Sequence, residues 1–224
     1  MNLVLHSSYG SERLPRWRQA RLVAFRKLLG SVSPVDDYDR YSWHYWVEQN
    51  RHPVSCARVV RQAIDHLPSG HYFTEREIEL PPGPYAEPSR FGGINRRAFL
   101  MATGSAAYDG YLLGEYWILT AREILLQSLA TYPFHIFGML DSREMYGGPA
   151  TREPIWLVGV NPGQSLGSVL ALEPHNFPVL FPHVDPADVA NIPELPSAAE
   201  FSELAASNVE KRRLDKEKWS QMIP

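Results

Sequence analysis

The sequence predicts a single α+β domain spanning residues 1–224, and three observations predict it. A central apolar region from Asn95 to Tyr132 has the periodicity of a pair of helices. Three short runs after Pro133, IWLVGV, SVLAL and PVLF, are predicted as strands and indicate a small mixed or antiparallel sheet. The last stretch, residues 197–221, opens with Ser and Glu at capping-box spacing and has few apolar residues, which is typical of a peripheral surface helix.

Five elements are expected before the centre. Residues 2–7, NLVLHS, predict a short strand, and residues 15–30 predict an amphipathic helix with Pro near its first turn and Gly past its end. Residues 53–67 predict a helix, because their apolar side chains recur at helical spacing. Residues 71–80 predict a strand. The Pro- and Gly-rich residues 81–93 predict a loop, which is also a candidate internal domain boundary.

The central region is expected to hold the core of the protein. Asn95 is a plausible N-cap for the first helix, and the Gly-containing residues 104–110 predict a break. A second helix is predicted from Tyr111 to Tyr132. On that helix Glu115 and Arg122 fall on one narrow stripe, and apolar residues cover most of the remaining surface, so the helix should be packed on several sides.

Composition narrows the classes of function. The formal net charge of −3 gives no general attraction to nucleic acid or to an anionic membrane, and most of the 22 basic residues are arginines. The one cysteine, Cys56, cannot form an internal disulfide or a cysteine-based zinc cluster, so it is expected to be a buried, inert thiol. These features favour a bacterial protein of the reducing cytoplasm, and no cofactor and no metal site are predicted.

Four residues of the C-terminal third are candidates for chemistry. The string LVGVNPG resembles the strand and loop of mismatch-type uracil/thymine DNA glycosylases, which implies a place for Asn161 beside a flipped base. The later His-containing loop of that family is missing, and Asn-Pro-Gly after a strand is otherwise typical of a turn. His183 and Asp185 form a His-x-Asp pair like that of a facial iron site, but its distal histidine would have to be the upstream His175.

Two surfaces are candidates for binding. The segment DDYDRYSWHYW, residues 36–46, concentrates aromatic side chains that suit an interface, and the first helix adds a basic face. Glu115 and Arg122 indicate either a pocket or a salt-bridged surface stripe. The binding residues predicted on these grounds are Tyr41, Trp43, Tyr45, Trp46, Arg18, Arg21, Glu115 and Arg122.

No catalytic constellation stands out, so the sequence favours a protein that binds another protein, with a toxin-neutralising, adaptor or chaperone-like role. The alternative is a small enzyme acting on a nucleotide, a nucleobase or another phosphate-bearing substrate. That enzyme would use the arginine-rich surface together with Asn161, His175, His183 and Asp185.

Overall fold

The structure is a computed structural model and describes residues 2–10, 15–24, 35–128, 133–142, 153–193 and 195–221. Seven strands of this part of the chain form one sheet in the order β1-β2-β3-β4-β5-β7-β6. The predicted α+β class is confirmed, with a sheet larger than the small one expected. The strands are β1 (Leu3–Tyr9), β2 (Ser42–Gln49), β3 (His52–Val60), β4 (Tyr85–Gly93), β5 (Tyr116–Arg122), β6 (His135–Asp141) and β7 (Pro154–Val160).

Helices cover both faces of the sheet. Two short 3-10 helices span Asp37–Tyr41 and Ile64–His66. The α-helices are α1 (Pro15–Ala24), α2 (Gly70–Glu75), α3 (Arg96–Leu112), α4 (Glu123–Ser128), α5 (Pro162–Leu172), α6 (Phe177–Leu180), α7 (Pro186–Ala190) and α8 (Ala198–Gln221).

The two faces differ in what covers them. On one face α1 packs on β2 and β3 through Trp17 and Ala20, and a second cluster includes Phe73 of α2; we call this the α1 face. On the other face α3, α5 and α6 cover the main hydrophobic core, and we call this the α3 face. Alternate residues of each strand point to opposite faces, so both sides of the central strands are buried.

The helix predicted over residues 53–67 is wrong, because most of this segment is strand β3. Eight of its residues, Pro53–Val60, are buried on one face or the other. A strand buried on both faces has a continuous apolar sequence, and such a run does not differ from a buried helix in periodicity. The positive φ angles of Asn50 and Arg51 form the tight turn that joins β2 to β3.

The predicted central pair of helices is also wrong. The first helix, α3, starts at the predicted cap, where Asn95 accepts a hydrogen bond from the Ala98 N–H, but it continues without the predicted break to Leu112. Gly114, at φ 65°, ends it. The predicted second helix is strand β5 followed by the short helix α4, because YWIL is rich in aromatic and β-branched residues that favour strands. Residues 129–132 of that prediction lie outside the described part.

Three further predictions need correction. Residues 81–93 are not a loop throughout, since Tyr85–Gly93 is strand β4 in the middle of the sheet. Residues 71–80 are not a strand, since helix α2 takes up Gly70–Glu75. The runs SVLAL and PVLF belong to helices α5 and α6. The predicted strands at NLVLHS and IWLVGV are confirmed as β1 and β7, and α1 is confirmed over its described residues.

Strands β4 and β5 separate soon after they meet. They are parallel neighbours, but only Tyr85 and Ala86 of β4 pair with β5. Further along, β4 pairs with β3 alone, and its register shifts there at a bulge that includes Arg90, whose φ is 55°. We call the resulting gap between β4 and β5 the seam.

The C-terminal helix α8 starts at the predicted capping box, in which Ser197 and Glu200 bond to each other. Phe201 is buried and anchors the helix to the core. Further along, Asn208 and Lys211 donate hydrogen bonds to backbone carbonyls of Phe134 and Ile136, so α8 lies along strand β6. Among the described helices, none is both long enough and apolar enough to cross a membrane.

Candidate functional site

A group of buried and partly buried polar side chains, most of them charged, lies on the α1 face, where an ordinary protein core would be apolar. Its members come from α1, the first 3-10 helix and strands β2, β3 and β4. We call them the polar cluster: Arg21, Asp36, Asp39, His44, Arg58, Glu87 and Arg90.

The centre of the polar cluster is a buried ion pair. Both terminal nitrogens of Arg21 donate to the two carboxylate oxygens of Asp39, at 3.0 and 2.9 Å. Arg58 donates to the same carboxylate at 3.0 Å. Burial alone would raise the pKa of Asp39, but the hydrogen bonds and charges of the two arginines outweigh it and lower that pKa. Asp39 is therefore a fixed anion at neutral pH.

Asp36 lies at the outer side of the polar cluster. Its carboxylate accepts hydrogen bonds from Arg58 and, at 3.0 Å, from Arg90. It also caps the first 3-10 helix through the Tyr38 N–H. The side chains of Asp36 and Arg90 are 28% and 25% exposed, in contrast to 1% for Asp39, so these two groups face the solvent side. A ligand that approaches the cluster meets them first.

His44 is an uncharged member of the polar cluster that contacts both Asp39 and Arg21. Its Nε2 donates to the Asp39 carbonyl oxygen at 3.0 Å, which leaves Nδ1 as an acceptor 3.5 Å from an Arg21 nitrogen. The Trp17 indole stacks on the imidazole, with ring centroids 4.1 Å apart. Burial lowers the pKa of His44 to about 4, so the ring stays uncharged at neutral pH.

Glu87 is the member of the polar cluster whose pKa lies near neutral pH. Its carboxylate accepts hydrogen bonds from the backbone N–H and the hydroxyl of Ser69, at 2.6 and 2.7 Å. The Ser69 hydroxyl also lies 3.3 Å from that of Thr120 on β5, so these groups bridge the seam. Burial raises the pKa of Glu87 to about 7, although the Ser69 hydrogen bonds and the charge of Arg58 favour the carboxylate. Glu87 can therefore accept and release a proton near neutral pH.

An apolar cavity lies next to the seam on the α3 face, between the sheet and α3. It holds about 70 Å³, and its walls are almost entirely apolar. The lining comes from β4, α3, β5, β7, α5 and α6 and includes Pro88, Phe91, Phe99, Trp117, Val160, Leu166 and Phe181.

Strand β4 separates the two compartments residue by residue. Glu87 belongs to the polar cluster, whereas the next residue, Pro88, lines the apolar cavity. In the same way Arg90 bonds to Asp36, whereas Phe91 lines the cavity. The seam beside these residues is the place where a reacting group could have a polar partner on one side and an apolar tail on the other.

This arrangement suits a substrate pair of unlike polarity. Three guanidinium groups of the polar cluster, those of Arg21, Arg58 and Arg90, face two fixed carboxylates, Asp36 and Asp39. The guanidinium of Arg90, which is partly exposed, suits a carboxylate or another electron-rich oxygen, and Asp36 suits an amine. Glu87 can then remove a proton from that amine, while the cavity takes up an apolar group.

The candidates Asn161, His175, His183 and Asp185 lie elsewhere. Asn161 and Asp185 act as N-caps of α5 and α7, accepting hydrogen bonds from the N–H groups of Gln164 and Ala187. His175 and His183 are exposed. The structure brings none of these four into the polar cluster or the cavity lining. Among the described residues, no three or more His, Cys, Asp or Glu side chains come together in a way that could hold a metal ion. Their chemical roles stay predictions.

The aromatic residues predicted to bind do not form one surface. Tyr41 is exposed, with the Arg40 guanidinium over its ring. Tyr45 and Trp46 are buried on opposite faces of β2, where Tyr45 donates to Asp109 and Trp46 stacks on His6. Trp43 packs against Tyr9.

The predicted charged binding residues also separate. Arg18 is exposed on α1, whereas Arg21 is buried in the polar cluster. Glu115 is buried just before β5 and bonds to Arg61 and Trp117, whereas Arg122 ends the same strand and pairs with Glu153. Glu115 and Arg122 thus share no helical stripe.

Sequence reasoning missed six of the seven residues of the polar cluster as site candidates. Arg58 and Glu87 sit inside segments whose strand character was not recognised, so their position on the inner face could not be inferred. The available signal was the presence of lone charges in apolar runs, SCARVV and YAEPSR. A charge flanked by buried positions needs a buried partner, and the acidic string DDYD offers one.

Comparison with known proteins identifies the fold. No protein-family model matches the sequence, and no curated protein matches it either. Solved structures do match. The acyl-homoserine lactone (AHL) synthase LasI has a TM-score of 0.52 at 12% identity, over 70% of this chain and 89% of LasI. FeeM, an N-acyl amino acid synthase from uncultured soil microbes, has a TM-score of 0.54 at 10% identity, over 75% and 94%.

A third match is TofI in a ternary complex with an inhibitor and MTA, with a TM-score of 0.50 at 18% identity, over 75% of this chain and 96% of TofI. The chain therefore has the fold of these proteins. The predicted role as a protein-binding adaptor, chaperone-like or toxin-neutralising protein is wrong, because the structural neighbours are acyl-transferring synthases.

Proposed function

We propose that the chain is an N-acyltransferase that moves an acyl group from a thioester to the amine of an amino-acid derivative. The observation that carries this proposal is the seam, which has a buried base and an ion cluster on one side and an apolar cavity on the other. The fold shared with LasI and FeeM supports it, since LasI is named as an AHL synthase and FeeM as an N-acyl amino acid synthase.

The proposed reaction is a direct transfer at the seam. The acyl tail occupies the cavity, which places the thioester carbonyl beside β4. The amine nitrogen attacks the carbonyl carbon, so that a C–N bond forms and the C–S bond breaks. Glu87 takes the proton that the attacking neutral amine loses. The departing thiolate takes a proton from water and leaves as the thiol, and Glu87 returns its proton to the solvent, so the net reaction converts amine and thioester into amide and thiol.

The polar cluster suits an acceptor that carries both an amine and a carboxylate. Arg90, which is partly exposed, can bind the carboxylate, and Asp36 can bind the ammonium group before it loses its proton. The names of LasI and FeeM point to homoserine lactone and amino acids as acceptor chemistry. Thioester donors are cytoplasmic metabolites, which supports the cytoplasm as the proposed location.

The test is transfer by the intact protein from short-chain acyl thioesters to a panel of amines. The panel holds amino acids, homoserine lactone and S-adenosylmethionine, and mass spectrometry detects the N-acyl product. We expect at least one amide product. Absence of an amide with every amine, under conditions where the protein is folded, would refute the proposal.

Replacing Glu87 by Gln tests the base. Gln keeps the shape and can still bond to Ser69, but it cannot accept the proton, so kcat should fall on the order of a hundredfold or more. In the native protein kcat/KM should rise with pH and level off above about 7, because Glu87 must be deprotonated to act. The matched control is Glu79→Gln at an exposed position, which should keep native rates. An unchanged rate in the Glu87 variant would remove Glu87 from the mechanism.

A further inference from the structure

We propose that Trp117, held in place by Glu115 and Arg61, is the fixed wall that restricts the transferred acyl group to short chains. This inference rests on the proposed acyl transfer, because it assigns the cavity to the acyl group. It gives a function to Glu115, a buried charged residue that the transfer itself does not use.

The size of the cavity sets the limit. It holds about 70 Å³, less than half of the roughly 150 Å³ of an engineered apolar cavity that binds benzene. Its walls are close-packed core side chains, among them Trp117, Leu166 and Phe181, which are each at most 5% exposed. A long acyl chain fits only if a wall moves.

Trp117 is the wall with the strongest anchor. Its indole N–H donates to a carboxylate oxygen of Glu115 at 2.9 Å. Glu115 in turn accepts hydrogen bonds from two nitrogens of Arg61. Turning the indole away would take a hydrogen bond from a buried carboxylate, which is costly in an apolar surrounding. The anchor therefore makes this wall rigid.

Helix α3 closes the space into which Trp117 would have to move. A Cβ atom on Gly110 would lie 3.0 Å from Cζ2 and Nε1 of Trp117 and from the Glu115 carboxylate. A larger residue here would require the indole or the carboxylate to shift by a few tenths of an ångström, so the Trp117 side chain is closely packed between α3 and its hydrogen-bond partner. By contrast, Phe91 and Phe99 are half-buried walls near the bulge of β4, the end where an acyl group can enter.

Calorimetric binding tests the wall without needing an acceptor amine. The probes are N-acetylcysteamine thioesters with straight acyl chains from acetyl to dodecanoyl. While each added methylene is buried, affinity should rise about fourfold per methylene. We expect this rise to stop at a short chain, near butanoyl or hexanoyl. A rise that continues to dodecanoyl would overturn the inference and leave acyl transfer intact, whereas no binding of any thioester would overturn both.

Variants of the cavity wall test which side chain sets the maximum acyl-chain length. In Trp117→Phe the smaller ring and the lost N–H should move the tightest-binding thioester to a chain at least two methylenes longer. The matched control is Trp156→Phe, a fully buried indole on β7 outside the cavity lining, which should leave the preferred chain unchanged. An unchanged preference in Trp117→Phe, in protein that melts cooperatively, would contradict the role of Trp117.

Glu115 is assigned as a positioning residue, so conservative and disruptive replacements should differ. Glu115→Gln keeps an acceptor for the indole N–H and should keep the chain-length preference. Glu115→Ala should broaden the preference toward longer chains even when the Kd for acetyl changes less than twofold. If both variants keep the native preference, Glu115 has only a structural role.

Discussion

At the scale of single residues, the polar cluster makes the protein sensitive to acid through His44. The imidazole is buried between Trp17 and Asp39 and has a pKa of about 4, against 6.5 for an exposed histidine. In the unfolded chain this histidine takes up a proton as the pH falls below 6.5, whereas in the folded protein it does not. Folding therefore loses stability over that range.

In a Glu87→Gln background we expect the free energy of unfolding to fall between pH 6.5 and 4, by up to about 1.4 kcal/mol per pH unit from His44. This background is needed because burial raises the pKa of Glu87 to about 7, so in the native protein Glu87 adds stability as the pH falls below 7 and opposes the effect of His44. Chemical denaturation at several pH values measures this. Asp36 and Asp39 have lowered pKa values, so their own losses should begin only below their ordinary value of 3.8.

The control is His44→Gln in the same Glu87→Gln background, which keeps a polar side chain but has no titrating group at position 44. This variant should be less stable at pH 7.5, because the stack with Trp17 is lost, yet its stability should change less between pH 6.5 and 4. An equally steep pH dependence in the variant would assign the effect to another group.

Some single-residue properties were readable from the sequence. The caps at Asn95 and Ser197 follow from local hydrogen bonding and were predicted. Arg21 was singled out on the basic face of the first helix, and Glu115 in a pocket or a surface stripe. Their partners Asp39 and Arg61 were not predicted, because they lie 18 and 54 residues away. Such pairs depend on strand pairing, which local patterns do not give.

At the scale of elements, helix α8 completes an edge of the sheet. Strand β6 is last in the strand order, so one side of its backbone has no strand partner among the described residues. Asn208 is buried and donates to the carbonyl of Phe134 at 2.7 Å, just before that strand begins.

Removing the amide of Asn208 should leave this carbonyl without its donor. We expect Asn208→Ala to lower the free energy of unfolding by about 1–3 kcal/mol, measured by urea denaturation. Asn176→Ala is the matched control, because that side chain is exposed, and it should change stability by less than about 0.5 kcal/mol. Equal effects of the two changes would show that α8 does not protect the edge through Asn208.

The errors in predicted elements share a physical cause. Strands β3 and β5 are buried on both faces, so their sequences lack the alternation that marks a half-exposed strand. The glycines of α3 suggested a break, but Gly104 and Gly110 serve close packing against Phe181 and Trp117. Elements with a free surface, such as α1 and α8, kept their periodicity and were predicted.

At the scale of the whole molecule, the site uses both faces of the sheet. In the proposed transfer, the acceptor binds on the α1 face and the acyl group on the α3 face, so the two substrates would not compete for space. The thiol of Cys56 is buried, and burial raises its pKa to about 12, so it does not suit an acyl-enzyme intermediate.

We therefore expect a ternary complex rather than a covalent intermediate. Plots of reciprocal initial rate against reciprocal concentration of one substrate, at several concentrations of the other, should intersect. Cys56→Ala should keep at least half of the native kcat. Parallel lines, or loss of transfer in this variant, would contradict direct transfer.

The class of the whole fold was predictable, whereas its function was not. Composition and pattern were sufficient for α+β, but the seam arises where β4 and β5, separated by helix α3, meet as parallel neighbours. No local pattern marks that meeting. The candidate site forms where β4 and β5 meet. Because the sequence does not reveal that meeting and has no catalytic motif, it suggested a protein-binding function instead.

The seam also has a mechanical consequence. Because β4 and β5 share so few backbone pairs, the sheet is in effect two half-sheets joined at one end. A bound thioester whose amide groups bonded to the open edge of β4 would act as a missing strand between them. Binding of the thioester would then also hold the two half-sheets together. The protein with bound thioester would therefore exchange its β4 and β5 amide hydrogens more slowly than the protein without it.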